Sequence, residues 1–292
     1  MRDTMELKSL AKINLGLDVL GRRENGYHDV RMVMQTIYLY DNVKLEKRQE
    51  EGIVVETNLF FLPADENNIA YKAAKLLFDE FELGGGLHIQ LEKHIPVAAG
   101  LAGGSSNAAA VLVGMNRMYD LGLSQKELME RGVKLGADVP YCILRGTVLA
   151  EGIGEVLTPL PAMPKCYILI AKPGISVSTK AVYDKLDSKK IEEHPDIDGI
   201  LEGLQEENLS KIAASMGNVL EKVTIEDYPI IEEIKDAMKA AGALNAMMSG
   251  SGPTVFGIFE DKTKAREAQQ RIRQSKLAGQ VYVANVHNAR RE

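Results

Sequence analysis

Residues 95–110 constrain this chain more than any other stretch: Ile-Pro-Val-Ala-Ala-Gly-Leu-Ala-Gly-Gly-Ser-Ser-Asn-Ala-Ala-Ala. Gly100, Gly103 and Gly104 lead straight into Ser105 and Ser106, and an alanine-rich helical pattern follows from Asn107. Glycines let backbone N–H groups approach an anion closely. A helix start adds unpaired N–H donors at the positive end of the helix dipole. The pattern predicts a phosphate cradle at a loop-to-helix junction, but not a common one. A Walker A loop carries Gly-x-x-x-x-Gly-Lys before Ser or Thr, and no lysine follows Gly104. The Gly-x-Gly-x-x-Gly spacing of a dinucleotide fold is absent from the chain.

Phosphate binding has to be local, because the chain as a whole is acidic. Its 35 Lys and Arg against 41 Asp and Glu leave a formal net charge of −6. That removes any global electrostatic case for nucleic acid or an anionic membrane. At 292 residues, 45% hydrophobic and 26% charged, the chain reads as a soluble globular protein of one large domain or two ordinary ones. Cys142 and Cys166, with no Cys-x-x-Cys, suit a reducing compartment and exclude a disulfide framework or a cysteine-based zinc site. The first ten residues carry charges throughout, and no apolar run approaches the roughly 18 residues of a membrane span. A cytoplasmic protein is expected.

Partial alternation of Leu, Ile and Val predicts strands over 6–20 and over 30–45, the second broken at Asp41-Asn42. Helix spacing of Ile69, Ala73, Leu76 and Leu77 predicts a helix over 68–81. A strand over 87–91 leads to the glycine loop and a helix over 105–119. Ser124 and Glu127 form a capping box for a helix to about Leu135. Residues 141–150 read as strand. Thr158-Pro-Leu-Pro-Ala-Met-Pro164 reads as a linker, which divides the chain into 1–160 and 161–292. Beyond it the pattern predicts a strand over 166–171, a helix over 179–186, two or three helices through Ala241, then strands over 243–248 and 254–259, a helix over 262–275 and a strand over 280–286. That β-β-α-β ending is typical of a small α+β sandwich.

Three further segments carry chemistry. In Leu10-Ala-Lys-Ile-Asn-Leu-Gly-Leu17, Lys12 and Asn14 face the same side of an apolar strand; taken alone, Lys12 reads as an edge-strand lysine with its amine in water. In Gly136-Ala-Asp-Val-Pro-Tyr141, Asp138 reads either as a turn aspartate or as a carboxylate aimed at a substrate hydroxyl. In Met248-Ser-Gly-Ser-Gly-Pro-Thr-Val-Phe-Gly257, two Ser-Gly pairs form a tight loop, or a second backbone wall against an anion.

In order and spacing, Lys12 to Leu17, Pro96 to Ala110 and Ser249 to Gly257 resemble the three motifs of the GHMP kinases. Gly26-Tyr-His-Asp29, Glu66-Asn-Asn-Ile69, Gly136-Ala-Asp-Val-Pro140, Ala150-Glu-Gly-Ile-Gly-Glu155 and Val177-Ser-Thr179 resemble one branch of that family. Its substrate is 4-diphosphocytidyl-2-C-methyl-D-erythritol, on the non-mevalonate route to isoprenoid precursors. The resemblance covers essentially the whole chain and is weakest at 186–215.

The resemblance implies an α+β fold of two domains, an N-terminal one like ribosomal protein S5 domain 2 and a ferredoxin-like C-terminal one. It implies ATP-dependent phosphorylation of the substrate's C2 hydroxyl. ATP would lie along Pro96, Val97, Ala98, Ala99, Gly100, Leu101, Ala102, Gly103, Gly104, Ser105 and Ser106, with Asn68 and Lys93 near its base or ribose. Ser105 or Ser106 would help hold Mg²⁺. Asp138 would face the hydroxyl, with Lys12 beside it. Tyr27 and Tyr183 would stack on the cytosine and His28 would bond its edge, while Asn14, Thr179, Gly250 and Ser251 would hold the rest of the substrate. The partner is a small molecule carrying a cytidine diphosphate, with no nucleic acid and no membrane, and the chain a monomer or weak homodimer. The alternatives are another GHMP kinase, of mevalonate or homoserine type, or a non-catalytic nucleic-acid-binding module.

Overall fold

The apolar alternation near the N-terminus continues well past both expected ends. A computed structural model describes residues 3–189 and 191–289. In it, β1 runs over Thr4–Arg22 and β2 over His28–Arg48. The break expected at Asp41-Asn42 does not occur. Asp41 is fully buried inside β2, where its carboxylate has the partners described below. β3 (Gly52–Thr57) was not expected; α1 (Ile69–Phe81), β4 (Gly86–Glu92), α2 (Gly103–Met118) and α3 (Gln125–Val133) follow. Both bonds of the Ser124–Glu127 capping box are present.

Residues 141–150, expected as one strand, instead divide into α4 (Val139–Leu144) and β5 (Thr147–Glu151). Val139 to Ile143 are all buried, and an unbroken apolar run does not distinguish a buried helix from a buried strand. Pro140 sits in the first turn of α4, where its missing N–H costs nothing. Then come β6 (Val156–Pro159), β7 (Tyr167–Lys172), α5 (Thr179–Leu186), α6 (Ile197–Gln205), α7 (Leu209–Ser215), β8 (Gly217–Asn218), α8 (Glu221–Asp227), α9 (Ile230–Ala240), β9 (Asn245–Met248), β10 (Val255–Phe259), α10 (Lys262–Ser275) and β11 (Gln280–Asn285).

The chain forms two compact units, and they are interleaved in sequence. One comprises residues 1–11, 39–97 and 102–144; the other 12–38, 98–101 and 145–292. Residues 1, 2, 190 and 290–292 lie outside the described ones. In the first unit β4 lies between β2, antiparallel, and β3, parallel. Leu77, Leu87 and Ile89 are fully buried there. Burying a side chain of that size is worth roughly 1.5–3 kcal/mol, so the apolar stripe decides which face of each element turns inward.

In the second unit β5 pairs with β2 and β6, and β1 runs parallel to β8, Gly16 opposite Gly217. A second sheet has four antiparallel strands in the order β11-β7-β10-β9. Counted along the chain from β7, that is four-one-three-two, the ferredoxin-like order, with Phe256 and Phe259 fully buried. The Pro-rich segment 158–164 lies within this second unit.

Candidate active site

The second unit gathers several of the expected substrate and loop residues around β1. Lys12 and Asn14 are two apart on the strand, so they share a face, and both are buried. Lys12 Nζ donates to Asn14 Oδ1 at 2.7 Å, and Asn14 Nδ2 approaches Met32 Sδ at 3.4 Å. The lysine is therefore not the solvated edge residue that its position alone suggests. Its backbone N–H donates to the carbonyl of Leu101 at 3.1 Å, tying β1 to the glycine loop.

The loop after β9 closes on the same place. Ser249 Oγ donates to the Gly100 carbonyl at 3.0 Å. A Cβ on Gly100 would lie 2.1 Å from the Ser249 carbonyl oxygen, and one on Gly250 would lie 3.7 Å from Asn14 Oδ1. Ser251 Oγ is 2.8 Å from Thr179 Oγ1 at the start of α5. The two glycine-rich loops thus pack backbone against backbone, beside Lys12 and Asn14. Asn218 fixes the second loop through Nδ2, which donates to the carbonyls of Met248 and Gly250 at 2.9 and 2.8 Å. Glu221 accepts the Met248 N–H at 2.7 Å and an N–H of Lys235 at 2.9 Å. Burial raises the Glu221 carboxyl above its ordinary range, and Lys235 works against that.

At the start of β2 and the end of α5, His28 Nε2 lies 2.7 Å from Asp187 Oδ1, and its ring packs on Tyr183 with centroids 4.8 Å apart. Tyr27 is 58% exposed.

The glycine loop has the backbone shape of an anion cradle. Ala98, Gly100 and Ala102 take φ of 49°, 73° and 55°, alternating with residues of negative φ. Such alternation turns successive N–H groups towards one concave side. In the first unit α2 then begins at Gly103, with no side-chain cap on its N-terminus. Asn68, Ser124, Ser178, Asp196, Asn208 and Asp261 do cap α1, α3, α5, α6, α7 and α10. Ser106 makes the first bond back to Ala102, at 2.8 Å. The N–H groups of Gly103, Gly104 and Ser105 find no acceptor among the described residues. Ser105 is half-buried and Ser106 buried. Pro96 and Ala99 are buried, Val97 half-buried.

Asp138 stands half-buried just before α4, and its carbonyl accepts the Cys142 N–H at 3.0 Å. Asn68 is a helix cap with both ends of its amide engaged. Oδ1 accepts from Ala70 N at 2.9 Å, and Nδ2 donates to the Pro63 carbonyl at 2.7 Å. Lys93 points inward. Its amine donates to Asp41 Oδ2 and, at 2.7 Å, to Asn107 Oδ1. Asp41 Oδ1 also accepts the backbone N–H groups of His94 and Ile95 at 2.7 and 2.8 Å. Asn107 Nδ2 reaches Asp41 at 2.9 Å and Ser9 Oγ at 2.6 Å. Burial lowers the pKa of Lys93, opposed by the Asp41 carboxylate. This network braces both ends of the cradle, the exit from β4 and the first turns of α2. Asp41, Asn218, Glu221 and Asp187 were not singled out in the sequence, and no local pattern marks them.

Residues 68–146 match the family of GHMP kinases N terminal domains, and 200–278 the GHMP kinases C terminal family. The 4-diphosphocytidyl-2-C-methyl-D-erythritol kinase of Lachnospira eligens is 58% identical over 280 residues, 96% of this chain and 97% of that one. The kinase of the same name from Lachnoclostridium phytofermentans is 56% identical over 91% of each chain. The chain belongs to the 4-diphosphocytidyl-2-C-methyl-D-erythritol kinase family of GHMP kinases. A crystal structure of a 4-(cytidine 5'-diphospho)-2C-methyl-D-erythritol kinase, 33% identical, superposes with a TM-score of 0.84 over 98% of this chain and 100% of its own. The α+β fold described above is therefore that of the GHMP kinases.

Proposed function

We propose that this chain transfers the γ-phosphoryl group of ATP to the C2 hydroxyl of 4-diphosphocytidyl-2-C-methyl-D-erythritol. The observation that carries the reading is the 58% identity over 96% of the chain with a kinase of that name, in a chain that retains Lys12, Asp138 and the whole of Gly100 to Ser106. The ATP phosphates lie on the backbone N–H groups of residues 100–106. The open first turn of α2 and the alternating φ of the loop support this. Lys93 enters as a brace of the loop, its Nζ 3.4 Å from where a Cβ on Gly103 would lie, and Asn68 as the cap of α1, whose first residue, Ile69, comes 3.5 Å from where a Cβ on Gly104 would lie.

Phosphoryl transfer is largely dissociative, so positioning and charge stabilisation matter more than deep proton removal. Asp138 orients the attacking hydroxyl and takes its proton. The Lys12 ammonium, held by Asn14, stabilises negative charge on the attacking oxygen. Asn14, Thr179, Gly250 and Ser251 hold the diphosphate and polyol, while Tyr27, His28 and Tyr183 hold the cytosine. No group of three His, Cys, Asp or Glu among the described residues could bind a metal by itself. Mg²⁺ would be held together with the phosphates, by the hydroxyl of Ser105 or Ser106 at the start of α2. When bound, it neutralises phosphate charge.

No helix of the described residues is long and apolar enough to cross a membrane. The reading takes the chain as a cytoplasmic monomer or weak homodimer that needs no nucleic acid, with a domain division near residue 160 and the two family matches on either side of it. The test is ADP release with ATP, Mg²⁺ and one of three acceptors: the cytidyl substrate, mevalonate or homoserine. Turnover of the cytidyl substrate alone is expected. Turnover of only the other two overturns the assignment.

A further inference from the structure

His28 has one ring nitrogen engaged and one open. Nε2 meets Asp187 Oδ1 at 2.7 Å, whereas Nδ1 has no partner among the described residues. The other carboxylate oxygen, Oδ2, takes Arg22 Nη1 at 3.1 Å. Tyr183 packs on the imidazole and limits its rotation. His28, Arg22 and Asp187 line an open cleft of about 280 Å³.

A carboxylate can only accept hydrogen bonds. Against Asp187, the proton of a neutral His28 must therefore sit on Nε2, which leaves a lone pair on Nδ1. We propose that Asp187 is a positioning residue that selects cytosine over uracil by fixing the tautomer of His28. The inference rests on the reading that His28 meets the base edge. Cytosine carries an amine at position 4 and uracil a carbonyl oxygen. An Nδ1 lone pair accepts from the amine and repels the carbonyl. A neutral His28 could donate to a uridyl carbonyl only in the opposite tautomer, with two lone-pair-bearing atoms, Nε2 and Asp187 Oδ1, facing each other at 2.7 Å.

The experiment compares kcat/KM for the cytidyl substrate and for its uridyl counterpart. In the Asp187→Ala variant the cytidyl-to-uridyl ratio is expected to fall several-fold, up to about tenfold, the scale of one hydrogen bond net of its exchange with water. The change should fall in the KM of the nucleotide-tagged substrate and not in that of ATP. Asp187→Asn keeps the size and packing of the side chain, but its amide can serve either tautomer, so the ratio should fall there too. A purely structural Asp187 would be rescued by Asn. Nitrogen-15 NMR of His28 in the wild-type protein should show a protonated Nε2 and a bare Nδ1. A wild-type ratio in Asp187→Ala, or a protonated Nδ1 in the wild type, overturns the proposal. His28→Ala separates the two failures. If it raises KM for the cytidyl substrate while Asp187→Ala leaves the ratio intact, only the role of Asp187 falls. If it leaves that KM unchanged, the assignment of His28 to the base falls, and this inference with it.

Discussion

Lys12 illustrates how much a residue's surroundings decide its chemistry. On an exposed edge strand its ammonium would be one more solvated charge. Buried and bonded to Asn14 at 2.7 Å, it is held in one position and screened less by water, so its charge acts more strongly on a ligand. Asp138 carries the complementary role in the proposed reaction. Asp138→Asn keeps the shape and removes the proton acceptor, so kcat should fall by about 10²-fold or more, with KM for either substrate little changed. Steady-state kinetics measure this, and a near-normal kcat would remove Asp138 from the mechanism. Lys12 and Asp138 were legible because each lies in a recognisable local string. Asp41 was not. Its partners Lys93 and Asn107 are 52 and 66 positions away, and in a one-dimensional reading an aspartate in an apolar run looks like an interruption.

Among elements, α2 and its preceding loop behave as one device. Its start lacks a side-chain cap, as do those of α8 and α9, whereas six other helices are capped. The open N–H groups of Gly103, Gly104 and Ser105 leave backbone donors that a ligand can satisfy. The loop's shape depends on Gly100, with φ of 73° and the Ser249 carbonyl where a Cβ would go. Gly100→Ala should lower stability by roughly 1–3 kcal/mol and raise KM for ATP, read by thermal melting and by kinetics. Gly104→Ala is the control for folding, because its Cβ would meet Ile69 Cγ2 at an ordinary 3.5 Å. A Gly100→Ala protein with the melting temperature and ATP KM of the wild type would show that the contact with Ser249 is dispensable. Helix α4 marks the limit of reading elements from pattern. Its residues are buried on all sides, so the periodicity that separates helix from strand is missing.

For the molecule as a whole, the two compact units do not follow one another along the chain. The second unit takes residues 12–38 from the N-terminal region, and Gly16 on β1 receives Ile197 and Ile200 of α6, whose Cδ1 atoms would lie 2.6 and 2.7 Å from a Cβ there. A fragment comprising residues 161–292 keeps the four-stranded sheet but loses that contact and the pairing of Gly217 with Gly16. It should bind the hydrophobic dye ANS and unfold at lower urea than the full chain; a fragment as stable as the full chain would show that residues 12–38 contribute little. By itself the sequence determined most elements, the ferredoxin-like ending, the anion cradle and the family. Those follow from local rules: hydrophobic period, capping, and the backbone freedom of glycine. Only the tertiary structure decided that Lys12 and Lys93 turn inward, that Asp41 continues a strand, that residues 139–144 are helical, and that Asp187 meets His28. Asp41 finds Lys93 and Asn107, and Asp187 finds His28, at separations no local pattern reaches, while the inward turn of Lys12 and the helix at 139–144 depend on which faces the rest of the fold covers.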